Sequence, residues 1–522
     1  MEKELKQEEL NHSLKLMFKT SLFVFLGIIL SKVFTYLYRI IIARDFGPET
    51  YGLFSLAIMV LSWFISFFSF GLYEGVLRFV PLYRGKKKIN NVKYIFKFSF
   101  VVLFSSSIIS AIFLFLFSDF ISINIFHNVN LIIFLKILSL SLPFFSLAYV
   151  FLAILQAYEK IKIHSLISDV LFNFINLISL VVLVFIGLKI NAIIFSYFIG
   201  LIGIFLISFL FCKKKIPEIF TKLKLKINLR KKLRKEIFSY SWPLVFLGLI
   251  TGLLPSVDSF VIGYLRGASD VGIYSAAILI SGFMLFIPSL FIRLFFPLIM
   301  REFSEKNLDI IKELSKQVQK WILIVNLPLF VLMIIFPGAF INLLFGAQYM
   351  AAETPLRFLT IAFFLSSLSM LFSSLISMVG KSKLILLDMA IFSFSNLILD
   401  VIFVPKYGIS GAAFATMISY AILTLIFFFQ VKHYTSITLL RRKMISVFLS
   451  IIPPTLLLLY IKRFIPINIT TIILEGSFFV LVYILFIFIT KGLDRNDFMI
   501  LKSIKRNLPL SKFKQYTKKR SG

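Results

Sequence analysis

Along this chain the apolar positions neither alternate with polar ones nor recur every three to four residues. They run together, at 20–43, 52–80, 94–118, 129–155, 166–187, 190–212, 238–264, 272–300, 319–345, 355–379, 384–404, 409–430, 444–461 and 466–490. An α-helix needs about twenty such residues to cross the ~30 Å hydrocarbon core of a bilayer. The pattern therefore predicts an all-α polytopic membrane protein with about fourteen transmembrane helices. The short alternating segments of a membrane β-barrel are absent. Two pairs of runs are separated only by "GLKIN" (187–191) and "PKYGIS" (405–410), where Gly, Pro and the capping-type residues Asn191 and Ser410 predict tight turns.

Composition sharpens this picture. Of 522 residues, 59% are hydrophobic and 15% charged, and Phe alone supplies 65. A soluble domain has about a quarter of its residues charged, so a soluble core is excluded. The net charge of +32 suggests a nucleic-acid ligand until the charges are placed. With the N-terminus in the cytoplasm, about 43 of the 56 Lys and Arg fall in inner segments and about 6 in outer ones. The basic balance thus follows the positive-inside rule, puts both termini in the cytoplasm and favours anionic lipid headgroups over nucleic acid. The first 19 residues, "MEKELKQEELNHSLKLMFK", read as a helix on the membrane surface and lack the form of a signal peptide. No loop is long enough to hold a soluble catalytic domain. The lone Cys212 and four scattered His give no disulfide framework and no metal spacing, and no P-loop, GxSxG or HExxH occurs, so no cofactor is expected.

"GPETYGLFSLAIM" (47–59) and "GASDVGIYSAAIL" (267–279) share their glycines, an aromatic, Ser and Ala at an offset of 220. The same offset relates Asn176-Leu177-Ile178 to Asn396-Leu397-Ile398 and the Gly187–Ser196 segment to Tyr407–Thr416, while "FLG" at 25–27 recurs at 246–248. The chain therefore reads as two parallel six-helix lobes, 20–212 and 238–430. These are preceded by a cytoplasmic segment (1–19), joined by a basic linker (213–237), and followed by two further helices (431–490) and a basic tail (491–522). In each copy the first glycine makes the turn into the second helix of the lobe. The small residues Gly52, Ser55 and Ala57, and Gly272, Ser275 and Ala277, allow close helix approach.

"FGPETYGLFSLA", "FGLYEGVLRFVPLYRG" and "VPKYGISGAAFATMISY" resemble the polysaccharide biosynthesis membrane protein family. That family, which includes O-antigen-type flippases, lies within the multidrug/oligosaccharidyl-lipid/polysaccharide exporter superfamily. The resemblance covers nearly all of the chain. It implies a MATE-like fold and a two-lobed flippase that works by alternating access. Its central, often cationic cavity would be lined mainly by spans 1, 2, 7 and 8.

Those four spans carry ionisable and polar groups at membrane depth, which are functional candidates because burying them is unfavourable. In span 1, Lys32, Thr35, Tyr36 and Arg39 fall on one helical face. Glu74 and Arg78 lie four apart in span 2, where an intrahelical ion pair is the structural alternative. Asp258 and Ser259 follow Pro255 in span 7, and Ser289 and Arg293 lie four apart in span 8. A pair between Asp258 and Arg39 is a further structural reading, since the repeat makes them neighbours. Asp169, Asp388, Lys160, Lys162, Lys381 and Lys383 read as surface charges at span ends, and Lys136 and Arg357 as interface anchors.

The cations suit a phosphate or diphosphate, with Arg able to grip it in two places, and the hydroxyls suit sugars. The expected activity is therefore transport of a lipid-linked oligosaccharide or polysaccharide unit, on a polyprenyl or dolichyl carrier, by a protein that is not an enzyme. With no ATPase motif, transport runs downhill or is coupled to protons or sodium, with Asp258 and Glu74 as the acidic candidates. A small-molecule cation antiporter of the same superfamily is the alternative, although it calls for an acidic cavity. A monomer is the default expectation.

Overall fold

The computed structural model of the chain describes residues 2–223, 225–253, 256–435, 437, 442–463, 469–490 and 492–493. Lys224, Pro255 and nearly all of the predicted basic tail lie outside the described residues. No strand occurs among them. The helices in chain order are α1 (Glu2–Phe68), α2 (Leu72–Gly85), α3 (Ile89–Phe120), α4 (Leu131–Ser139), α5 (Leu142–Ala157), α6 (Ile161–Ser165), α7 (Phe172–Phe185), α8 (Asn191–Lys215), α9 (Ile227–Ser241) and α10 (Leu244–Leu253). They continue as α11 (Val257–Leu265), α12 (Ala268–Ser281), α13 (Phe283–Ser304), α14 (Leu308–Ile335), α15 (Pro337–Leu344), α16 (Glu353–Met378), α17 (Ser382–Thr435), α18 (Arg442–Lys462) and α19 (Ile469–Ile489).

Among the described residues nine helical segments are long and apolar enough to cross a membrane, or ten if α4 and α5, bent by 46°, make one span. Two of the nine, Val24–Phe68 and Ser382–Thr435, have 45 and 54 residues, far more than one crossing needs. Each reverses inside, at Gly47 (φ 78°) and Gly408 (φ 57°). Gly187 (φ 87°) and Gly267 (φ 93°) take the same left-handed backbone at the turns before α8 and α12. Left-handed backbone is strained for a residue with a side chain, so these turns are written with glycine. The chain is a multi-pass helical membrane protein.

The chain forms two compact units. The first comprises Met1–Ile280, Leu344–Leu359 and Leu386–Ser419, and the second Ser281–Leu343, Thr360–Ile385 and Tyr420–Gly522. The first unit thus holds the whole first repeat together with parts of the second. Its core packs α2, α3, α5 and α8 around residues such as Val80, Ile95, Phe151, Ile154 and Leu155. The second unit builds its core from Leu323, Leu327, Val447, Phe479 and Tyr483 on α14, α18 and α19. There the Lys462 ammonium donates to the Ile335 carbonyl at 2.9 Å and lies over the Phe336 ring, which keeps a cation partnered at the end of α18.

Within the first unit the two copies of the repeated glycine motif meet each other. A β-carbon on Gly52 would collide with the Ala268 carbonyl, and one on Gly272 would collide with the Pro48 carbonyl. The contact is reciprocal under the offset of 220, since 48 answers to 268 and 52 to 272. Tyr349 reinforces it by donating its hydroxyl to the Ala43 carbonyl at 3.0 Å. The small face therefore serves a backbone-to-backbone crossing that no larger residue allows. Overpacking such a contact costs about 1–3 kcal/mol. Gly52→Ala is expected to lower the thermal unfolding midpoint of the purified protein. Gly85→Ala, whose β-carbon would meet nothing within 4 Å, should leave the midpoint where it is.

Candidate functional site

Span 1 presents its polar face as the spacing predicts, but its members differ in surroundings. Lys32 is exposed. The Thr35 hydroxyl lies 2.8 Å from the Ser31 carbonyl and 3.0 Å from Asn173 Oδ1. Asn173 in turn donates to Ser31 Oγ at 3.0 Å and to the Asp169 carbonyl at 2.7 Å. Tyr36 donates its hydroxyl to the Leu279 carbonyl at 2.8 Å, tying α1 to α12. Arg39 is half-buried and faces the phenols of Tyr36, Tyr51 and Tyr197. Among the described residues no carboxylate pairs with it. An arginine inside a bilayer without a counter-ion is unfavourable unless water or a ligand supplies the negative charge.

Asp258 does not pair with Arg39. Its Oδ2 accepts hydrogen bonds from the Tyr274 hydroxyl and, at 2.6 Å, from the Thr416 hydroxyl. The carboxyl of Asp400 lies against it. Asp258 is 7% exposed and Asp400 fully buried, yet Asp258 Oδ1 and both Asp400 oxygens find no donor among the described residues. Two buried carboxyl groups side by side cannot both carry a bare charge, so a proton or a cation must stand between them. The oxygens of Asp258, Asp400 and Thr416 form a hard donor set suited to a proton or a small cation. Buried Asn396 lies one turn before Asp400 on the same face of α17.

The repeat explains why this site is acidic on one side only. Asp258 and Thr416 correspond, at the offset of 220, to Tyr38 and Ser196. Those two residues meet in the same way, with the Tyr38 hydroxyl 3.0 Å from Ser196 Oγ. Asp400 corresponds to Leu180 and Tyr274 to Phe54. The first copy thus holds a neutral, satisfied contact where the second holds paired carboxyl groups. Asp400 and Thr416 lie in spans 11 and 12, outside the four spans that the resemblance places around the cavity, whereas Tyr274 lies in span 8. The available signal was a carboxylate inside the apolar run "SNLILDVIF".

Glu74 and Arg78 are both exposed and do not pair with each other. Glu74 sits in the first turn of α2, behind the left-handed Gly71, where the helix dipole favours a negative charge. The Arg78 guanidinium lies over the Tyr240 ring at 4.1 Å. Ser259 is half-buried. Ser289 and Arg293 belong to the second unit, where the Ser289 hydroxyl donates to the Phe286 carbonyl at 2.6 Å and Arg293 is exposed. Two residues expected at the surface are not there. Asp388 is 1% exposed, and Asp169 is half-buried and accepts from the Ser165 and Ser168 hydroxyls at 2.7 and 3.3 Å. Both lie deeper than position along the chain suggests, because helix packing covers them. Around Asp169 the helix widens into a π turn over Leu166–Leu171, a feature frequent at functional sites. Lys136 pairs with Asp119 at 2.9 Å and Arg357 with Glu353 at 3.8 Å, which suits their reading as anchors.

Comparison with known proteins agrees with this architecture. A Shigella flexneri protein assigned as an O-antigen transporter is 27% identical over 383 residues, covering 71% of this chain and 87% of its own. The lipid II flippase MurJ in an inward closed conformation superposes with a TM-score of 0.68 at 21% identity, covering 88% of this chain and 97% of that one. An inward-facing MATE transporter of the MOP superfamily gives a TM-score of 0.65 at 14% identity, covering 79% and 98%. These two likenesses establish a MATE-like fold. The family model described as "Polysaccharide biosynthesis protein" matches residues 41–354, which is more than half of the chain. The chain belongs to the polysaccharide biosynthesis protein family.

Proposed function

We propose that the chain is a flippase that moves a lipid-linked oligosaccharide or polysaccharide repeat unit across the cytoplasmic membrane. It would work by alternating access through a cationic cavity, with both termini in the cytoplasm. The observation that carries this reading is Arg39, a half-buried cation within a span that faces the phenols of Tyr36, Tyr51 and Tyr197 and has no carboxylate partner among the described residues. A phosphate or diphosphate on the lipid carrier supplies the missing negative charge, and the guanidinium can hold it in two places. Within the first unit Lys32 and Arg78, both exposed, add to the positive field, and Arg293, exposed in the second unit, is proposed as a further cation for the substrate. The lipid tail stays in the bilayer and needs no cavity. Support comes from the family and from relatives assigned as an O-antigen transporter and a lipid II flippase.

The acidic pair of Asp258 and Asp400 supplies the coupling-ion site in this proposal. Loading it with a proton or sodium neutralises two buried charges at once. That stabilises the arrangement of α11, α12 and α17 in which Tyr274 and Thr416 close on Asp258. The same pair is the feature that most favours the second reading, an ion-coupled small-molecule antiporter. A cationic substrate, however, has no use for Arg39.

The test uses proteoliposomes with a fluorescent polyprenyl-diphosphate oligosaccharide in both leaflets. The wild type should make the protected label accessible. Arg39→Ala should slow this by about tenfold or more, since hydrogen bonds to charged groups contribute about 1.5–3 kcal/mol, and Arg39→Lys should recover part of the rate. If the wild type leaves the label protected while a cationic dye crosses with an ion gradient, the antiporter reading replaces this one. In the same vesicles a proton or sodium gradient should accelerate the wild type. Asp400→Asn should remove the response to the gradient while leaving slow downhill movement. An Asp400→Asn protein that still follows the gradient would place the coupling elsewhere.

A further inference from the structure

A second polar surface lies on α5 and the start of α2, and it borders the span-1 site through Tyr197, which stands between Tyr149 and Arg39. Phe145, Tyr149 and Gln156 fall on one face of α5. The Tyr149 ring is 4.8 Å from Phe145 and 5.0 Å from Tyr73. The Tyr73 hydroxyl donates to Gln156 Oε1 at 2.7 Å and lies 3.3 Å from His164 Nε2. The Glu74 carboxylate stands beside both phenols. All of these residues belong to the first unit.

Two features mark this surface as unfinished. Tyr149 is 41% exposed and its hydroxyl makes no hydrogen bond among the described residues. Glu74 is exposed and has no ion pair among them. A carboxylate at membrane depth that is neither buried nor paired must front water. The wall therefore lines an aqueous space. It offers flat aromatic rings beside a carboxylate, an amide and an imidazole. A pyranose ring matches that combination: its C–H face packs on an aromatic ring, and its vicinal hydroxyls bond planar carboxylate and amide groups. A free phosphate does not fit, because Glu74 repels it.

We propose that Tyr149, Tyr73, Glu74, Gln156 and His164 form a docking subsite for the glycan headgroup, distinct from the cations that take the phosphates. The subsite rests on the flippase reading and assigns a place to the part of the substrate that reading leaves unplaced. Bordering the cations of span 1, it would hold the sugars while those cations hold the phosphates. Discrimination between substrates then depends on Tyr149 and Glu74, while the affinity common to all of them depends on the cations.

The experiment compares binding of two probes to the full-length protein in nanodiscs: polyprenyl diphosphate, and the same lipid carrying chitobiose. The wild type should bind the sugar-bearing lipid more tightly. Tyr149→Ala and Glu74→Gln should each weaken that binding roughly five- to tenfold, about the scale of one lost ring contact, while leaving the bare lipid unchanged. Tyr149→Phe keeps the ring and should lose less than Tyr149→Ala, namely only the share carried by the hydroxyl. Unchanged affinity for the bare lipid also shows that the variants are folded. If the wild type binds both probes equally, or if a variant weakens both alike, the glycan subsite is refuted and the flippase reading stands. If the wild type binds neither probe, the flippase reading falls and the subsite falls with it.

Discussion

A charge inside a bilayer must find a counter-charge, a proton or water, and this requirement orders every polar feature of the chain. Lys462 meets it with a carbonyl and an aromatic ring. Lys136 and Arg357 meet it with neighbouring carboxylates. Arg39 and the pair of Asp258 and Asp400 do not meet it from the described residues. Function is proposed at those positions because the demand left open there has to be met from outside the protein. For the arginine the natural partner is an anionic headgroup, and for the carboxyl pair it is a small cation or a proton.

The offset of 220 pairs several structural devices of the chain, and we propose that chemistry enters where the members of a pair differ. The glycine crossing is preserved on both sides, because backbone contact between Gly52 and Ala268 and between Gly272 and Pro48 demands it of each. The contact between Tyr38 and Ser196 has diverged into the one between Asp258 and Thr416. Under the proposed mechanism the shared geometry holds the crossing closed. The diverged residues decide when that closure is favoured.

Much of this was legible in the sequence. Spans of bilayer length, turns at Gly47, Gly187 and Gly267, and the repeat can all be read from apolar runs and punctuation. The span-1 face from Lys32 to Arg39 also emerged from helical spacing alone. What stayed hidden depended on which helices touch. Asp258 and Arg39 are adjacent under the repeat offset, yet the fold gives one to Tyr274 and Thr416 and the other to Tyr51 and Tyr197. Glu74 and Arg78 have the spacing of an ion pair and share α2, but the ring of Tyr240 captures the arginine. Asp388 lies next to a loop and is still buried, because burial follows packing and not distance along the chain.

The central proposal is transport of a lipid-linked glycan by alternating access, and we propose that the crossing of the two glycine motifs is a place where that change opens a gap. Glu49 and Ser269 are exposed, flank that crossing and correspond under the repeat. With Cys212 replaced by Ser, spin labels at these two positions report the gap by double electron–electron resonance in lipid nanodiscs. The account predicts two distances, a short one for the closed crossing and a longer one, with the ratio shifting when a polyprenyl-diphosphate oligosaccharide is added. A single distance, unchanged by that lipid in a protein that demonstrably flips it, would contradict the account.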